Sequence, residues 1–189
     1  MQDVLSFASQ LSAAVIHEGD LAVDATVGNG HDTLHLAHAV GPSGTVVGFD
    51  IQQEAINNTR KRLQRAGVSE RVRLVCRSHE HIQEELGTGG NVAAVMFNLG
   101  YLPGSDKSLI TKPESTIEAL GGALSSLRPG GIITLVLYTG HPGGAEEAER
   151  VRTWATSLNQ ESYRVLSYRF INQQNAPPAL LAIQRLPGS

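Results

Sequence analysis

The chain has 189 residues, 41% of them apolar and 17% charged, and its 15 Lys and Arg against 18 Asp and Glu give a net charge of −3. That length suits one domain spanning residues 1–189, with an N-terminal helical segment, 1–18, packed on it, and the composition excludes both a disordered chain and a membrane protein. The negative balance excludes a polycation that grips nucleic acid by bulk charge, so any such contact must use a local patch.

Val4, Ala8, Leu11 and Val15 recur at helical spacing, which predicts an amphipathic helix over 4–16, ended by Gly19 and Asp20. Leu21-Ala22-Val23 then reads as a strand running into Asp24, followed by the glycine loop to Gly30 and a helix carrying Leu34, Ala37 and Val40. After the turn 41–44, the β-branched run 45–49 predicts a second strand ending at Asp50. The next helix, from about Glu54 to Ala66, buries Ile56, Leu63 and Ala66, turns Arg60, Lys61, Arg62 and Arg65 to solvent, and stops at Gly67. Further strands are predicted at 72–76, 92–97 and 132–137, with helices near 79–86, 114–127 and 145–158. This alternation predicts a doubly wound α/β sheet, mostly parallel and seven-stranded. The runs 163–170 and 179–186 are joined by a segment too short for a crossover helix, so they should pair antiparallel. The one cysteine, Cys76, cannot form an internal disulfide, and in its apolar run it reads as a small buried residue of a cytosolic protein. The longest strongly apolar stretch, 132–138, is far short of the roughly 20 residues that span a bilayer, and no targeting segment is visible at the N-terminus.

The loop Asp24-Ala25-Thr26-Val27-Gly28-Asn29-Gly30-His31-Asp32-Thr33 stands between a strand and a helix, with Asp50 ending the next strand. Nucleotide-binding folds use such glycines to bring backbone close to a ligand, and such an acid to hold ribose hydroxyls. Here a threonine replaces the third glycine of the dinucleotide fingerprint, and Asp24 and Asp32 would repel a pyrophosphate at close range. The same acids suit S-adenosylmethionine, which carries a sulfonium and an ammonium and no phosphate. Asp32 also has a plainer reading, as a first-turn acid that complements its helix dipole. Ser78 and His79 follow the third strand and reach the rim of the same cleft, where Ser78 either borders the ligand or caps the next helix.

On the acceptor side, Asn98-Leu99-Gly100-Tyr101-Leu102-Pro103-Gly104 closes the fourth strand. A carboxamide there can accept from an amine N–H, and a tyrosine offers a flat face to a base. The position resembles the Asn-Pro-Pro-Tyr motif of amine-directed methyltransferases, with Leu99 and Gly100 in place of both prolines. His141, in Tyr138-Thr139-Gly140-His141-Pro142-Gly143-Gly144, either takes a proton or merely completes a turn. His31, His35 and His38 share a helix face without a zinc motif, so no metal is expected. The basic cluster of Arg60, Lys61, Arg62 and Arg65, with Arg71, Arg73 and Arg77 soon after, is either a solvated face or an RNA contact.

These three stretches together, the glycine loop, the segment from Asn98 through Ser105-Asp106-Lys107, and Gly140-His141-Pro142-Gly143-Gly144, resemble the small bacterial rRNA-methylase family, similar to tRNA 5-aminomethyl-2-thiouridine methyltransferases. The likeness runs along nearly the whole chain. It implies a class I methyltransferase fold, S-adenosylmethionine as cofactor, and methylation of the aminomethyl nitrogen of the tRNA wobble uridine. It also implies that Asp24, Gly28, Asn29, Gly30, Asp32, Asp50, Gln52, Ser78 and His79 line the cofactor site, that Tyr101 and His141 face the acceptor, and that Asn98 serves both. A homodimer is the assembly such an enzyme would use to grip tRNA. The alternatives are an rRNA or small-molecule methyltransferase of the same fold, an NAD-linked dehydrogenase, and a non-catalytic RNA-binding module.

Overall fold

The computed structural model describes residues 1–87, 91–100 and 113–188. Its elements in chain order are α1 (Val4–Ala13), β1 (Leu21–Asp24), α2 (His31–Ala39), β2 (Thr45–Phe49), α3 (Gln53–Ala66), β3 (Val72–Val75), α4 (Ile82–Leu86), β4 (Val92–Leu99), α5 (Pro113–Ser126), β5 (Leu127–Leu137), α6 (Gly144–Thr156), β6 (Tyr163–Tyr168) and β7 (Ala179–Arg185). The strands form one sheet in the order β3-β2-β1-β4-β5-β7-β6. Neighbours from β3 to β5 are parallel, and β7 runs antiparallel to both β5 and β6, as the short connection before it required. The chain order reverses direction beside β1, so the carboxyl ends of β1 and β4 open a crevice at that point.

Period-two side-chain alternation splits the core into two layers. Val23, Val47, Val95, Phe97 and Ile133 face α4, α5 and α6, while Ala22, Val46, Ala94, Met96 and Val136 face α1, α2 and α3. Local chemistry sets the helix ends. Asp3 caps α1 by accepting from the Ser6 amide at 2.8 Å, and α3 stops where Gly67 takes φ +70°, the left-handed region that favours glycine.

Three sequence expectations need correction. Cys76 is exposed, because it follows β3, the edge strand, where no neighbouring strand covers it. Ala66 is also exposed: the packed stripe of α3 is Ala55, Ile56, Thr59 and Leu63, and Ala66 lies in the last turn as the chain leaves that face. The fifth strand starts at Leu127, five residues before the predicted Ile132. A register shift against β4 absorbs Pro129-Gly130-Gly131, where a Cβ on Gly131 would sit 2.9 Å from the Val92 carbonyl oxygen, closer than packing allows. Among the described residues no helix is long and apolar enough to cross a membrane.

The N-terminal helix is fastened by polar contacts as well as by Val4 and Ala8. The Ser12 and Thr134 hydroxyls meet at 3.2 Å in a fully buried place, and Arg128 donates to the Val15 carbonyl at 2.7 Å and to Asp20 at 2.8 Å. Thr134→Val alone should cost about 1–3 kcal/mol in urea denaturation, because it strands the Ser12 hydroxyl, whereas Ser12→Ala with Thr134→Val should cost less than the sum of the single changes.

Candidate functional site

The end of β1 carries Asp24 into the interior, 1% exposed, and a carboxylate in that position has to be satisfied locally. One oxygen accepts from the Thr26 amide at 3.1 Å and the other from the Thr33 hydroxyl at 2.5 Å, so the side chain ties both ends of the glycine turn together. Thr26 in turn accepts from the backbone amide of Asn98 at 2.7 Å, which joins the turn to the end of β4. The turn needs its glycines. Gly28 has φ +50° and Gly30 φ +76°, and a Cβ on Gly30 would lie 2.5 Å from Oγ1 of Thr59 on α3. Thr59 also donates to the Gly28 carbonyl at 3.1 Å, and Arg62 Nε to the Asn29 carbonyl at 2.7 Å, so α3 holds the loop from outside.

Asp50, at the end of β2, is half-buried and faces the same turn: its oxygens accept from the Gly28 amide at 2.8 Å and the Gln52 amide at 2.9 Å. Asp32, in the first turn of α2, accepts from the side-chain amide of Asn98. Burial raises the pKa of all three acids above the ordinary carboxylate range. Asp24 is pushed up to about 7, first by loss of solvent and then by the Asp32 carboxylate. Asp32 is raised by burial against the opposing effects of His35, His31 and the Asn98 bond, and Asp50 is raised by burial alone.

His79 is buried after β3, its Nδ1 3.2 Å from the Ala25 carbonyl and its ring edge-on to Phe97 at 5.7 Å between centroids. That bond places the ring proton on Nδ1, and burial lowers the pKa, so the imidazole is neutral and Nε2 is an acceptor. Among the described residues neither His79 Nε2 nor Asn98 Oδ1 has a partner, although both are buried. Ser78 makes no side-chain capping bond to the single 3₁₀ turn that follows it.

Across the crevice, the Nδ1 of His141 sits 3.0 Å from the Pro142 carbonyl. A Cβ on Gly100 would lie 3.7 Å from Nε2 and 3.6 Å from the Tyr138 ring, and one on Gly144 would lie only 2.7 Å from Nε2, so the imidazole is lodged between the two glycines. Tyr138 is half-buried, and its phenol is pushed up by burial and by the Asp32 charge. The structure therefore brings Asp24, Gly28, Asn29, Gly30, Asp32, Asp50, Gln52, His79 and Asn98 into one bonded group around the turn, with His141 opposite the end of β4. Tyr101 and the Ser105-Asp106-Lys107 stretch lie outside the described residues. Sequence reasoning gave no role to Tyr138, Thr26 and Thr59. Only the first carried a usable signal, an aromatic one step past an apolar strand that ends at the cleft. His31 and His35 are separated by their contacts, one at 3.1 Å from Arg62 and the other at 3.1 Å from the Ser9 carbonyl.

An open sheet with its crevice beside β1, an acidic glycine turn, an acid ending β2 and an asparagine ending β4 define the class of S-adenosylmethionine-dependent methyltransferases with a Rossmann-like fold. The model of the family described as "Putative rRNA methylase" matches residues 46–184. The chain is 40% identical to the chloroplastic tRNA (mnm(5)s(2)U34)-methyltransferase of Arabidopsis thaliana over 90% of its own length, and it spans 65% of the length of that relative. In structure it is similar to the "putative rRNA-methylase" of Clostridium thermocellum, with TM-score 0.95, 43% identity, and 98% and 99% of the two chains covered. It is likewise similar to a "putative methyltransferase" of Streptococcus mutans in complex with SAH, with TM-score 0.90, 32% identity and the same coverage. The chain belongs to this rRNA methylase family, and fold and family together make it an S-adenosylmethionine-dependent methyltransferase domain.

Gly30→Ala should cost about 1–3 kcal/mol in thermal or urea denaturation, since it adds both a left-handed Cβ and a collision with Thr59. A second expectation concerns pH. Because Asp24 is raised in the folded state, that state keeps a proton between about pH 4 and 7 which the unfolded chain releases, so this group's stabilising contribution is full at low pH and is lost as pH rises to about 7. The stability difference between wild type and Asp24→Asn should therefore shift against the wild type by up to about 1 kcal/mol per pH unit across that window and level off above it. A flat difference curve from pH 4 to 8 would refute the buried, protonated carboxyl.

Proposed function

We propose that the protein is a cytosolic N-methyltransferase that converts 5-aminomethyl-2-thiouridine at the tRNA wobble position to its methylaminomethyl form. The observation that carries this reading is the acceptor at the end of β4. Asn98 is held by its backbone through Thr26 and by its side-chain amide through Asp32, and Oδ1 is left buried with no partner among the described residues. An acceptor fixed in this way favours a nucleophile that carries a donor hydrogen, as an amine does, because a ligand without one would leave it stranded. The similarity to the chloroplastic tRNA enzyme supports the wobble uridine as the site of that amine.

The residues at the turn fit a cationic adenosyl cofactor. Asp50 would hold the ribose, the Nε2 of His79 is an acceptor suited to the exocyclic amine of adenine, and Asp32 would face the methionine end. Asp24, fully enclosed, acts by shaping the turn that Asp32 and Gly28 belong to. S-adenosylmethionine when bound supplies an electrophilic methyl group on a sulfonium. Asn98 accepts one N–H of the incoming amine and so aims its lone pair at that methyl, a positioning effect. The product ammonium then carries one proton too many, and His141, whose imidazole lies against Gly100 at the end of β4, is the residue we assign to take it. Tyr138 lines the same wall and offers a face for the base, beside the role expected of Tyr101. A second copy, burying the exposed Val165 and Leu166 of edge strand β6, would complete the homodimer, and sedimentation as a monomer would remove that part of the reading.

Incubating the protein with S-adenosylmethionine and tRNA that bears the aminomethyl group should yield the methylaminomethyl nucleoside by mass spectrometry, and no gain of that species rules out this substrate. Asn98→Ala should lower kcat/KM for the tRNA about 100-fold, and Asp50→Ala should abolish cofactor binding by calorimetry. If NAD bound and S-adenosylmethionine did not, the donor assignment would fall with it.

A further inference from the structure

Alongside the glycine turn, on the face of the sheet covered by α2 and α3, runs an open groove of about 540 Å³ lined by Asn29, Leu34, Asn58, Lys61, Arg62 and Arg65. Its lining is cationic. Arg73, Arg77, Arg128, Arg150 and Arg152 are paired with carboxylates, whereas among the described residues Lys61, Arg62 and Arg65, which cluster in this groove, form no ion pair, as is also true of the scattered Arg60, Arg71, Arg164 and Arg169. A net charge of −3 thus conceals a face of α3, formed by Lys61, Arg62 and Arg65, whose positive charge no described carboxylate pairs with. The helix dipole favours Arg65 in the last turn of α3, but it does nothing for Lys61 one turn earlier, and like charges at that spacing repel by a few tenths of a kcal/mol in isolated helices. Local stability therefore does not account for the arrangement.

We infer that this groove is the RNA phosphate-binding surface of the enzyme, with Lys61 and Arg65 contacting successive backbone phosphates and Asn29 and Asn58 offering amide donors beside them. Lys61 and Arg65 stand one helical turn apart on the same face, roughly 5–6 Å between Cβ atoms, and can address neighbouring anions. Arg62 links the groove to the catalytic turn: its guanidinium donates to the Asn29 carbonyl at 2.7 Å and meets His31 Nε2 at 3.1 Å, so a strand lying in the groove passes directly against the loop that begins with Gly28. The lining favours RNA over a protein or a lipid surface. Only Leu34 and Ala66 are apolar, too little to bury against a folded partner or a bilayer, and the remainder are cations and amides.

This inference rests on the proposed tRNA substrate, and its test separates the two. Lys61→Ala with Arg65→Ala changes two exposed side chains outside the cofactor and acceptor groups, so S-adenosylmethionine affinity and turnover of the free aminomethyl-thiouridine nucleoside should be unchanged. Binding to tRNA, measured by fluorescence anisotropy across a salt series, should show a log–log slope shallower by about 1.4 for the variant, so that its loss of affinity between about 50 and 200 mM salt is about sevenfold smaller than that of the wild type. Lys61→Arg should restore part of the slope. If the variant keeps the wild-type affinity and slope while the wild type binds and methylates tRNA, the groove assignment is overturned and the proposed function stands. If the wild type binds no tRNA, both are overturned. Equal affinity per charge for polyglutamate and for tRNA, lost together in the variant, would overturn the assignment in favour of an acidic protein partner.

Discussion

Asp24 is driven almost wholly out of water by the strand that carries it, and a carboxyl group so placed must find donors within a few residues. It finds them in the Thr26 amide and the Thr33 hydroxyl, one on each side of the glycine pair. Everything at the crevice depends on that closure. Bending the chain back over Asp24 puts Thr26 under the Asn98 amide, brings Gly28 onto Asp50, and starts α2 with Asp32 within reach of the Asn98 side chain. β1, β2 and β4 are thus joined at their carboxyl ends by one network of bonds, and the buried acceptor oxygen of Asn98 is what the network leaves without a partner among the described residues.

The same burial changes the electrostatic reading of the pocket. Three carboxylates close together do not simply present three negative charges, because each has its pKa raised by the enclosure that brings it there. A cationic ligand relieves the situation by favouring the ionised forms, and a phosphate aggravates it. Cofactor choice and pH response are two aspects of one arrangement. On the outer side of the turn the sign reverses: α3 supports the loop through Thr59 and Arg62 and turns its remaining cations to solvent. A loop only a few residues thick separates an acidic pocket from a basic groove, which suits a cationic cofactor on one side and the proposed RNA on the other.

Much of this could be read in the chain before any coordinates. The alternation of apolar runs located every strand, since a buried parallel strand has to be continuously apolar, and the short segment 169–178 forced β7 to run antiparallel because no helix fits in it. Errors arose where a pattern is locally ambiguous. Pro129-Gly130-Gly131 has the composition of a turn, yet it lies within β5 because the bulge against β4 absorbs it. Cys76 has an apolar neighbourhood in sequence and an open one in space, since exposure depends on which strand stands at the edge of the sheet.

The residue types and their order determined by themselves that this is an α/β sheet with an acidic glycine turn after the first strand and an amide acceptor after the fourth, because hydrophobic period and glycine placement are properties of a short stretch of chain. Which of those groups meet was decided only by the tertiary structure. Thr59 against Gly30, Asp32 against Asn98, and Tyr138 and His141 against Gly100 are contacts between residues far apart in the chain, and nothing local encodes them. That α3's outward cations form no ion pair among the described residues is likewise a fact about what lies near them in space, and it turns an ordinary basic helix into a candidate surface for RNA.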